Sequence, residues 1–330
     1  MKPRLRFLSL VLSLLLMLSL CSCDLSFVAG LLDGGSEGDF TLADITEVIA
    51  SSFTDCYGDQ LSPNEKAVYD AIRAAQAGEN EFSVTFPQPL TVCKDRTPTD
   101  AEQETAKGKL TYWLSNAVFA AWLDDPTLFW LDFSDYGYSC TFMSNDEGVV
   151  GVTQLTITVS LRVDAETAVR RKADLELRLA QLSPVGATDA ERVRSINRLL
   201  CDAVTYNLDA PDRATAAGAL VDGACVCEGY ARAFQLLCQR AGIDCVCLLG
   251  DSVANGKTEG HMWNAVRIDG TWYYCDTTWN DTTRDLTKYL LVGGETMGHE
   301  DTFDKTHTPQ NTLGQSKPFA IPTVSRKAYQ

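Results

Sequence analysis

Two β-forming runs, residues 260–268 and 272–279, flank the turn at Asp269-Gly270, and this pattern constrains the fold more than any other. An Asp-Gly pair between such runs favours a two-residue turn, so we predict an antiparallel hairpin. If the residues that flank the turn pair with each other, His261 and Asp276 lie on one face as diagonal neighbours, with backbones roughly 7 to 8 Å apart. The hairpin therefore predicts an imidazole within reach of a carboxylate.

A helix is predicted upstream of the hairpin, beginning at Cys227 and ending before Gly242. Its apolar residues recur at helical spacing and form one stripe, namely Tyr230, Ala233, Phe234, Leu237 and Ala241. Cys227 therefore lies at or just before the first turn of this helix. Free amide groups and the positive end of the helix dipole stabilise a thiolate there, and the same amides can bind an oxyanion.

Three runs of residues together indicate a family. A thiol at a helix start, a histidine and an acid that orients it are the parts of an activated cysteine nucleophile. The runs Cys227-Glu228-Gly229-Tyr230-Ala231, His261-Met262-Trp263-Asn264 and Asp276-Thr277-Thr278-Trp279 resemble, in the same order, the motifs of the transglutaminase-like superfamily. The resemblance covers about residues 188–292. It implies a papain-like α+β core, in which a helix bearing the nucleophile packs on an antiparallel sheet.

The resemblance also implies a chemistry. It makes Cys227 the nucleophile, His261 the general base and acid, and Asp276 the group that fixes the imidazole. The implied reaction is acyl transfer through a thioester, starting from a carboxamide or peptide carbonyl, with no cofactor. We expect a cysteine peptidase or amidase that acts on a protein or peptide substrate. The alternatives are a protein cross-linking transglutaminase and a catalytically silent surface module that binds a peptide or a cell-wall component.

Other residues could take these roles. Cys225 is the alternative nucleophile, although its place in the preceding loop favours core packing or pairing with another thiol. Asn264 could orient the imidazole in place of Asp276, as amides do in some cysteine enzymes. The C-x-C pairs at 225–227 and 245–247 are spaced more closely than the ligands of structural zinc sites, so no metal is expected.

The remaining cysteines and histidines are expected to be structural. Two of the twelve cysteines, Cys21 and Cys23, lie near the N-terminus. Once Cys227 is also reserved, nine remain, and this odd number argues against a complete disulfide framework. A bridge between Cys56 and Cys93 is one guess. His299 and His307 lie in a polar segment that is predicted to be a loop.

The N-terminus is expected to direct export. A basic stretch precedes an apolar run at residues 7–20 that is short for a bilayer span. The sequence Leu20-Cys21-Ser22-Cys23 resembles the bacterial lipobox, which implies a signal peptide at 1–23, a lipidated Cys23 and an extracellular protein anchored to the bacterial cell membrane. An ordinary cleaved signal with an incidental cysteine is the alternative. Residues 24–47 are rich in glycine and acids and are predicted to be a flexible tether.

Local signals predict further helices and strands. Capping boxes at Ser62–Glu65 and Thr188–Glu191 each begin a helix, and Asp124-Asp125-Pro126 ends a long one. Alternating residues at 82–86, before Pro87, and at 155–163 predict strands of an antiparallel sheet. The N-terminal half is therefore expected to be α+β.

The body of the chain is predicted to form two domains. The segment Ser183–Gly186 is the best boundary. It separates a smaller α+β accessory domain at 48–185 from a transglutaminase-like catalytic domain at 186–330. The overall fold class is α+β.

The charge of the chain excludes one class of partner. The sequence has 28 Lys and Arg residues against 44 Asp and Glu residues, and a formal net charge of −16. Binding to nucleic acid requires a basic surface that neutralises phosphates. We therefore expect no nucleic-acid partner.

Overall fold

The computed structural model describes residues 53–330 and the backbone of Leu12–Leu14. The rest of the predicted signal peptide, the predicted lipidation site Cys23 and the predicted tether at 24–47 lie outside the described residues. Among the helices within 53–330, none is both long enough and apolar enough to cross a membrane.

The N-terminal half of the described chain consists of helices packed on an antiparallel sheet. Its elements in chain order are β1 (Leu12–Leu14), a 3₁₀ turn (Tyr57–Gln60), α1 (Pro63–Arg73), β2 (Glu81–Lys94), α2 (Asp100–Asp124), β3 (Leu131–Ser144), β4 (Val149–Leu161) and α3 (Ala165–Gln181). The strand order in the sheet is β1-β3-β4-β2. Phe82 pairs with Ile157, and Val84 with Leu155, which confirms the antiparallel sheet expected from the two alternating runs.

Strand β2 is longer than the sequence predicts. The alternating residues 82–86 predict a strand that ends before Pro87, yet β2 continues to Lys94. Its register with β4 shifts between Thr85 and Leu90, so Pro87 lies in an irregular stretch of the strand. Proline is tolerated there because the irregular stretch does not require the N–H group that proline lacks. The predicted strand end was wrong for this reason.

The C-terminal half places helices around a second sheet. Its elements in chain order are α4 (Asp189–Ala203), β5 (Thr205–Tyr206), a π-helical turn (Gly218–Asp222), β6 (Ala224–Cys225), α5 (Cys227–Arg240), β7 (Cys245–Ala254), β8 (Lys257–Ile268), β9 (Thr271–Cys275), α6 (Thr277–Thr283), β10 (Leu290–Val292), α7 (Phe303–Thr306) and β11 (His307–Pro309). The antiparallel sheet has the order β10-β9-β8-β7-β11, and β5 pairs in parallel with β6. Helix α5 packs against β7 and β8. The predicted α+β class, with a helix that begins at Cys227 lying on an antiparallel sheet, is confirmed.

The predicted helix boundaries follow from local hydrogen bonds. Before α1, the backbone N–H of Ser62 donates to the Glu65 carboxylate over 2.7 Å. Before α4, the hydroxyl of Thr188 accepts from the backbone N–H of Glu191 over 3.2 Å. Helix α2 ends at Asp124, as the following proline predicts. Both capping boxes and the end of the long helix are thus confirmed.

A row of side chains on α5 joins the two halves of the chain. Three residues donate hydrogen bonds to the last three carbonyls of α2, over 2.6, 2.8 and 3.1 Å, namely Arg232, Gln235 and Gln239. The final carbonyls of a helix have no partner within that helix, and these side chains satisfy them. Buried apolar residues of both halves form one continuous core cluster. The domain boundary predicted at 183–186 stays a prediction.

The C-terminal tail returns to the N-terminal half. The amide of Asn311 donates to the hydroxyl of Tyr57 over 2.7 Å, and that hydroxyl donates to the carbonyl of Cys247 over 2.7 Å. The backbone N–H of Lys317 donates to the side-chain oxygen of Asn116 over 2.7 Å. Tyr57 is fully buried, so it ties the N-terminal half, strand β7 and the tail together.

Candidate active site

Cys227 is the first residue of α5. Val226 precedes it in an extended conformation and forms the N-cap, and its backbone N–H donates to the carbonyl of Arg213 over 2.9 Å. A Cβ atom at Gly229 would clash with the Cys225 side chain and with the Arg213 carbonyl, so only glycine fits the first turn at this position. The half-buried thiol of Cys227 therefore lies where the free amides of the helix are available.

The predicted hairpin is present with the predicted register. Asp269 has φ 50° and Gly270 has φ 77°, the two positive values of a type I′ turn. Ile268 pairs with Thr271, and the register continues to the pair of Asn264 with Cys275. This part of the prediction is confirmed.

The second strand of the hairpin is shorter than predicted. Strand β9 ends at Cys275, and residues 277–283 form helix α6, so the predicted strand to Trp279 was wrong. The chain passes from strand to helix at Asp276 because the Oδ1 atom of this residue caps α6. Oδ1 accepts a hydrogen bond from the backbone N–H of Trp279 over 3.0 Å. A cap at this point also directs the other carboxylate oxygen towards β8.

His261 and Asp276 meet in the site. The Nε2 atom of His261 lies 2.9 Å from Oδ2 of Asp276, and both side chains are buried. The Cys227 side chain is the other group close enough to the imidazole to raise its pKa. Since Nε2 contacts the carboxylate, Nδ1 is the nitrogen left to face the thiol. The structure thus brings together all three residues that the resemblance identifies.

Charges in the site move the pKa values of His261 and Asp276 in opposite directions. Burial by itself lowers the pKa of His261, but the Asp276 carboxylate, its hydrogen bond and the Cys227 side chain together raise that pKa to about 10. Burial by itself raises the pKa of Asp276, but His261 and His307 hold that pKa well below its usual range. An imidazolium and a carboxylate are therefore the stable pair at neutral pH.

The sequence analysis missed His307. It is buried at the start of β11, where Nε2 lies 3.1 Å from Oδ2 of Asp276 and Nδ1 lies 3.0 Å from the hydroxyl of Thr306. Its ring stacks on Phe303 with ring centres 3.9 Å apart. The loop predicted for this segment was therefore wrong at His307, whereas His299 is exposed. The sequence offered no signal that separates His307 from His299, because both lie in the same polar segment.

Neither alternative residue takes a role in the site. Cys225 is fully buried, and burial followed by the charge of Cys227 raises the pKa of its thiol well above the usual value. The amide of Asn264 donates to the carbonyl of Ala231 over 3.0 Å, so it binds α5 and not the imidazole.

The guess at a disulfide was wrong. Cys56 and Cys93 are both free thiols, as are the other cysteines within residues 53–330. Cys245 and Cys247 are buried in β7, which agrees with the expected core packing.

Within residues 53–330, one group of side chains has the donor set of a metal site. The ligand atoms of His261, Asp276 and His307 lie within 4.8 Å of one another, and two imidazoles with a carboxylate suit zinc. Both imidazoles use Nε2 to contact the same oxygen of Asp276. Hydrogen bonding of a shared carboxylate therefore accounts for this cluster.

Residues 180–277 match the family model described as the transglutaminase-like superfamily. This part of the chain is similar to the transglutaminase-like superfamily. The matched range contains Cys227, His261 and Asp276, so the resemblance predicted from the three motifs is confirmed. His307 lies beyond it.

Known proteins match parts of this chain. Kyphoscoliosis peptidase from Mus musculus is 30% identical over 168 residues, which cover 46% of this chain and 25% of that protein. The Homo sapiens protein of the same name is 30% identical over 160 residues, which cover 43% and 24%. The chain thus spans about a quarter of the length of these relatives. Among solved structures, the periplasmic domain of TgpA from Pseudomonas aeruginosa is 14% identical with a TM-score of 0.26, covering 72% of this chain and 97% of that one.

Proposed function

We propose that this protein is a cysteine enzyme that hydrolyses amide bonds of protein or peptide substrates through a thioester. The observation that carries the proposal is the chain of contacts from the Cys227 thiol to His261 and on to Asp276, with 2.9 Å between the imidazole and the carboxylate. A thiol paired with an oriented imidazole at a helix start is the arrangement of an activated nucleophile.

In the first half of the reaction, the enzyme is acylated. The proton of Cys227 resides on His261, and the thiolate attacks the carbonyl carbon of the substrate to form a carbon–sulfur bond. Free amides at the start of α5 can stabilise the resulting oxyanion. The carbon–nitrogen bond then breaks, and the imidazolium gives its proton to the leaving amine.

In the second half, the thioester is cleaved. His261 takes a proton from water, the hydroxide attacks the thioester carbon, and the carbon–sulfur bond breaks to release the acid product. The sulfur leaves as a thiolate beside the imidazolium, which restores the starting ion pair. Hydrolysis is proposed over cross-linking because Cys227 is partly exposed, so water can reach the thioester. Water is also the default acceptor where a site is open to solvent.

The nucleophile is tested by alkylation of the full-length protein in detergent. Iodoacetamide is applied between about pH 5 and 9, and mass spectrometry locates the labelled residue. We expect selective labelling of Cys227 well below pH 8.5, the approximate pKa of a free thiol, and its loss in His261→Ala. Cys56 is the matched control, because it is also half-buried but burial and Asp124 raise the pKa of its thiol to about 12. Slow labelling spread over several cysteines would favour the silent binding module.

Turnover distinguishes the two enzymatic alternatives. A protein substrate is incubated with the enzyme, and new amino groups, released ammonia and incorporation of an added amine are measured. We expect new amino groups and a loss of at least about 1000-fold in kcat for Cys227→Ala. Full turnover in that variant would rule out Cys227 as the nucleophile. Amine incorporation in preference to hydrolysis would indicate a cross-linking enzyme.

The location of the enzyme is a separate proposal. The lipobox-like sequence supports export and attachment to the outer face of the bacterial cell membrane through lipidated Cys23. We expect Cys23 to incorporate a labelled fatty acid, and Cys23→Ser to abolish this incorporation. If the wild-type protein incorporates no labelled fatty acid, the proposed lipid anchor is wrong.

A further inference from the structure

The carboxylate of Asp276 has three donors around it. Oδ1 accepts from the backbone N–H of Trp279 over 3.0 Å. Oδ2 contacts Nε2 of His261 at 2.9 Å and Nε2 of His307 at 3.1 Å. The contact to His261 accounts for one donor, and the helix cap for another. The third donor, His307, takes no direct part in the reaction proposed above.

His307 is itself held firmly. Its Nδ1 atom lies 3.0 Å from the hydroxyl of Thr306, and its ring stacks on Phe303 with an angle of 6° between the planes. Trp279 lies against another side of the ring, with ring centres 4.4 Å apart. Since the ring is 2% exposed and packed on several sides, its Nε2 atom has a fixed direction.

The backbone also fixes His307 relative to His261. His307 pairs with Ser252 of β7, and Gly250 of the same strand pairs with His261 of β8. Both imidazoles therefore extend from strands that flank β7. They approach Oδ2 of Asp276 from two directions, so rotation of the carboxylate breaks at least one contact.

The protonation of the two rings differs. The titratable groups that face His307 are Asp276, which precedes α6, and His261 of β8. Burial lowers the pKa of His307, and this outweighs the opposing effect of Asp276. A neutral His307 with its proton on Nε2 donates to Asp276. Its Nδ1 atom then faces the hydroxyl of Thr306, which also contacts the carbonyl of Phe303. One positive charge, on His261, then balances the shared carboxylate.

We propose that His307 is a positioning residue that fixes the Asp276 carboxylate, and through it the direction in which His261 faces Cys227. This inference rests on the proposed function. It adds a fourth residue to the site, which acts on the reaction only through Asp276. It also gives the segment after α7 a role in activity.

Kinetics of two variants test the proposal in the full-length protein. His307→Leu removes the donor, whereas His307→Gln keeps an N–H group near the position of Nε2. We expect His307→Leu to lower kcat about tenfold or more with little change in KM, and His307→Gln to restore part of kcat. We also expect the basic limb of the pH profile to move to lower pH in His307→Leu, because a misaligned carboxylate stabilises the imidazolium less. The exposed His299 provides the control, and His299→Leu should match the wild type.

A structural role alone would give a different result. The His307→Leu change would then lower the amount of folded protein without shifting the basic limb of the pH profile. The kcat of His307→Gln would be no higher than that of His307→Leu. Wild-type kinetics in both variants would overturn the proposal. If the wild type shows no selective alkylation of Cys227, the proposed function fails, and this outcome is distinct from failure of the inference.

The wild type provides a test that does not depend on how a variant folds. In a protein labelled with nitrogen-15 in its histidines, NMR at neutral pH identifies which nitrogen of each ring carries a proton. We expect a proton on Nε2 of His307. A His307 ring with no proton at Nε2 could not donate to Asp276 and would overturn the proposal.

Discussion

His261 and Asp276 carry opposite charges inside a buried site, and the charge on each depends on the other. The raised pKa of His261 keeps the imidazole protonated at neutral pH, and the lowered pKa of Asp276 keeps the carboxylate charged. An imidazolium beside the thiol of Cys227 is the partner that a thiolate needs. The charge of the site is therefore also part of the stability of the folded chain.

The raised pKa of His261 predicts how stability depends on pH. The folded chain keeps the proton of His261 to about pH 10, whereas an unfolded chain loses it near pH 6.5. Between these values the folded state binds more protons, so the free energy of unfolding falls as the pH rises. We expect a slope of up to about 1.4 kcal/mol per pH unit between about pH 6.5 and 8, below the range in which thiols titrate.

Urea denaturation at several pH values within this range measures that slope. In His261→Gln the slope should be close to zero, and in His299→Gln it should equal that of the wild type, because His299 is exposed. An unchanged slope in His261→Gln would contradict a raised pKa for His261.

The first turn of α5 depends on a close approach between backbone segments. Gly229 faces the Cys225 side chain and the Arg213 carbonyl without space for a Cβ atom. The turn that carries Cys227 is therefore held against the strand and loop that precede it. Movement of this turn would displace both the thiol and the free amides at the start of α5.

Gly229→Ala tests this contact. The added methyl group should force the first turn of α5 outward, lower the free energy of unfolding by about 1 to 3 kcal/mol and slow alkylation of Cys227. Gly108→Ala is the matched control, because Gly108 lies inside α2 with nothing within 4 Å of the added atom. That change should raise the free energy of unfolding by up to about 1 kcal/mol. If Gly229→Ala has the same free energy of unfolding and the same rate of Cys227 alkylation as the wild type, the turn tolerates the methyl group.

Local signals predicted the elements that carry three of the four site residues. The turn at Asp269-Gly270 fixed the register of the hairpin, and the apolar stripe after Cys227 fixed the helix, because both depend on neighbours in sequence. The strand end at Cys275 was missed because the side chain of Asp276 acts as a helix cap. His307 was missed because its place depends on pairing between β11 and β7, which are far apart in sequence.

The two halves of the molecule share one core, and α5 lies between them. Its polar side chains donate hydrogen bonds to the carbonyls at the end of α2. Its apolar stripe packs on the sheet that carries His261. Tyr57 and the C-terminal tail add further links between the halves. We therefore expect the described chain to unfold as one unit.

Gln235→Leu tests the connection between the halves. The change leaves the buried carbonyl of Leu123 without the donor that lies 2.8 Å away, which should lower the free energy of unfolding by about 1 to 3 kcal/mol. Gln181→Leu, at the exposed end of α3, should change it by less than about 0.5 kcal/mol. Urea transitions followed by tryptophan fluorescence and by circular dichroism should coincide. Separate transitions for the two probes would mean that the halves unfold independently.

Among the strands that the structure describes, β11 comes last in the sequence and is therefore synthesised last. Cys227, His261 and Asp276 all emerge before His307, so a growing chain has a carboxylate with only one of its two imidazole partners. On the proposal for His307, the network around Asp276 is completed only when this strand docks against β7. The order of synthesis therefore delays full alignment of His261 until His307 has been made and β11 has paired with β7.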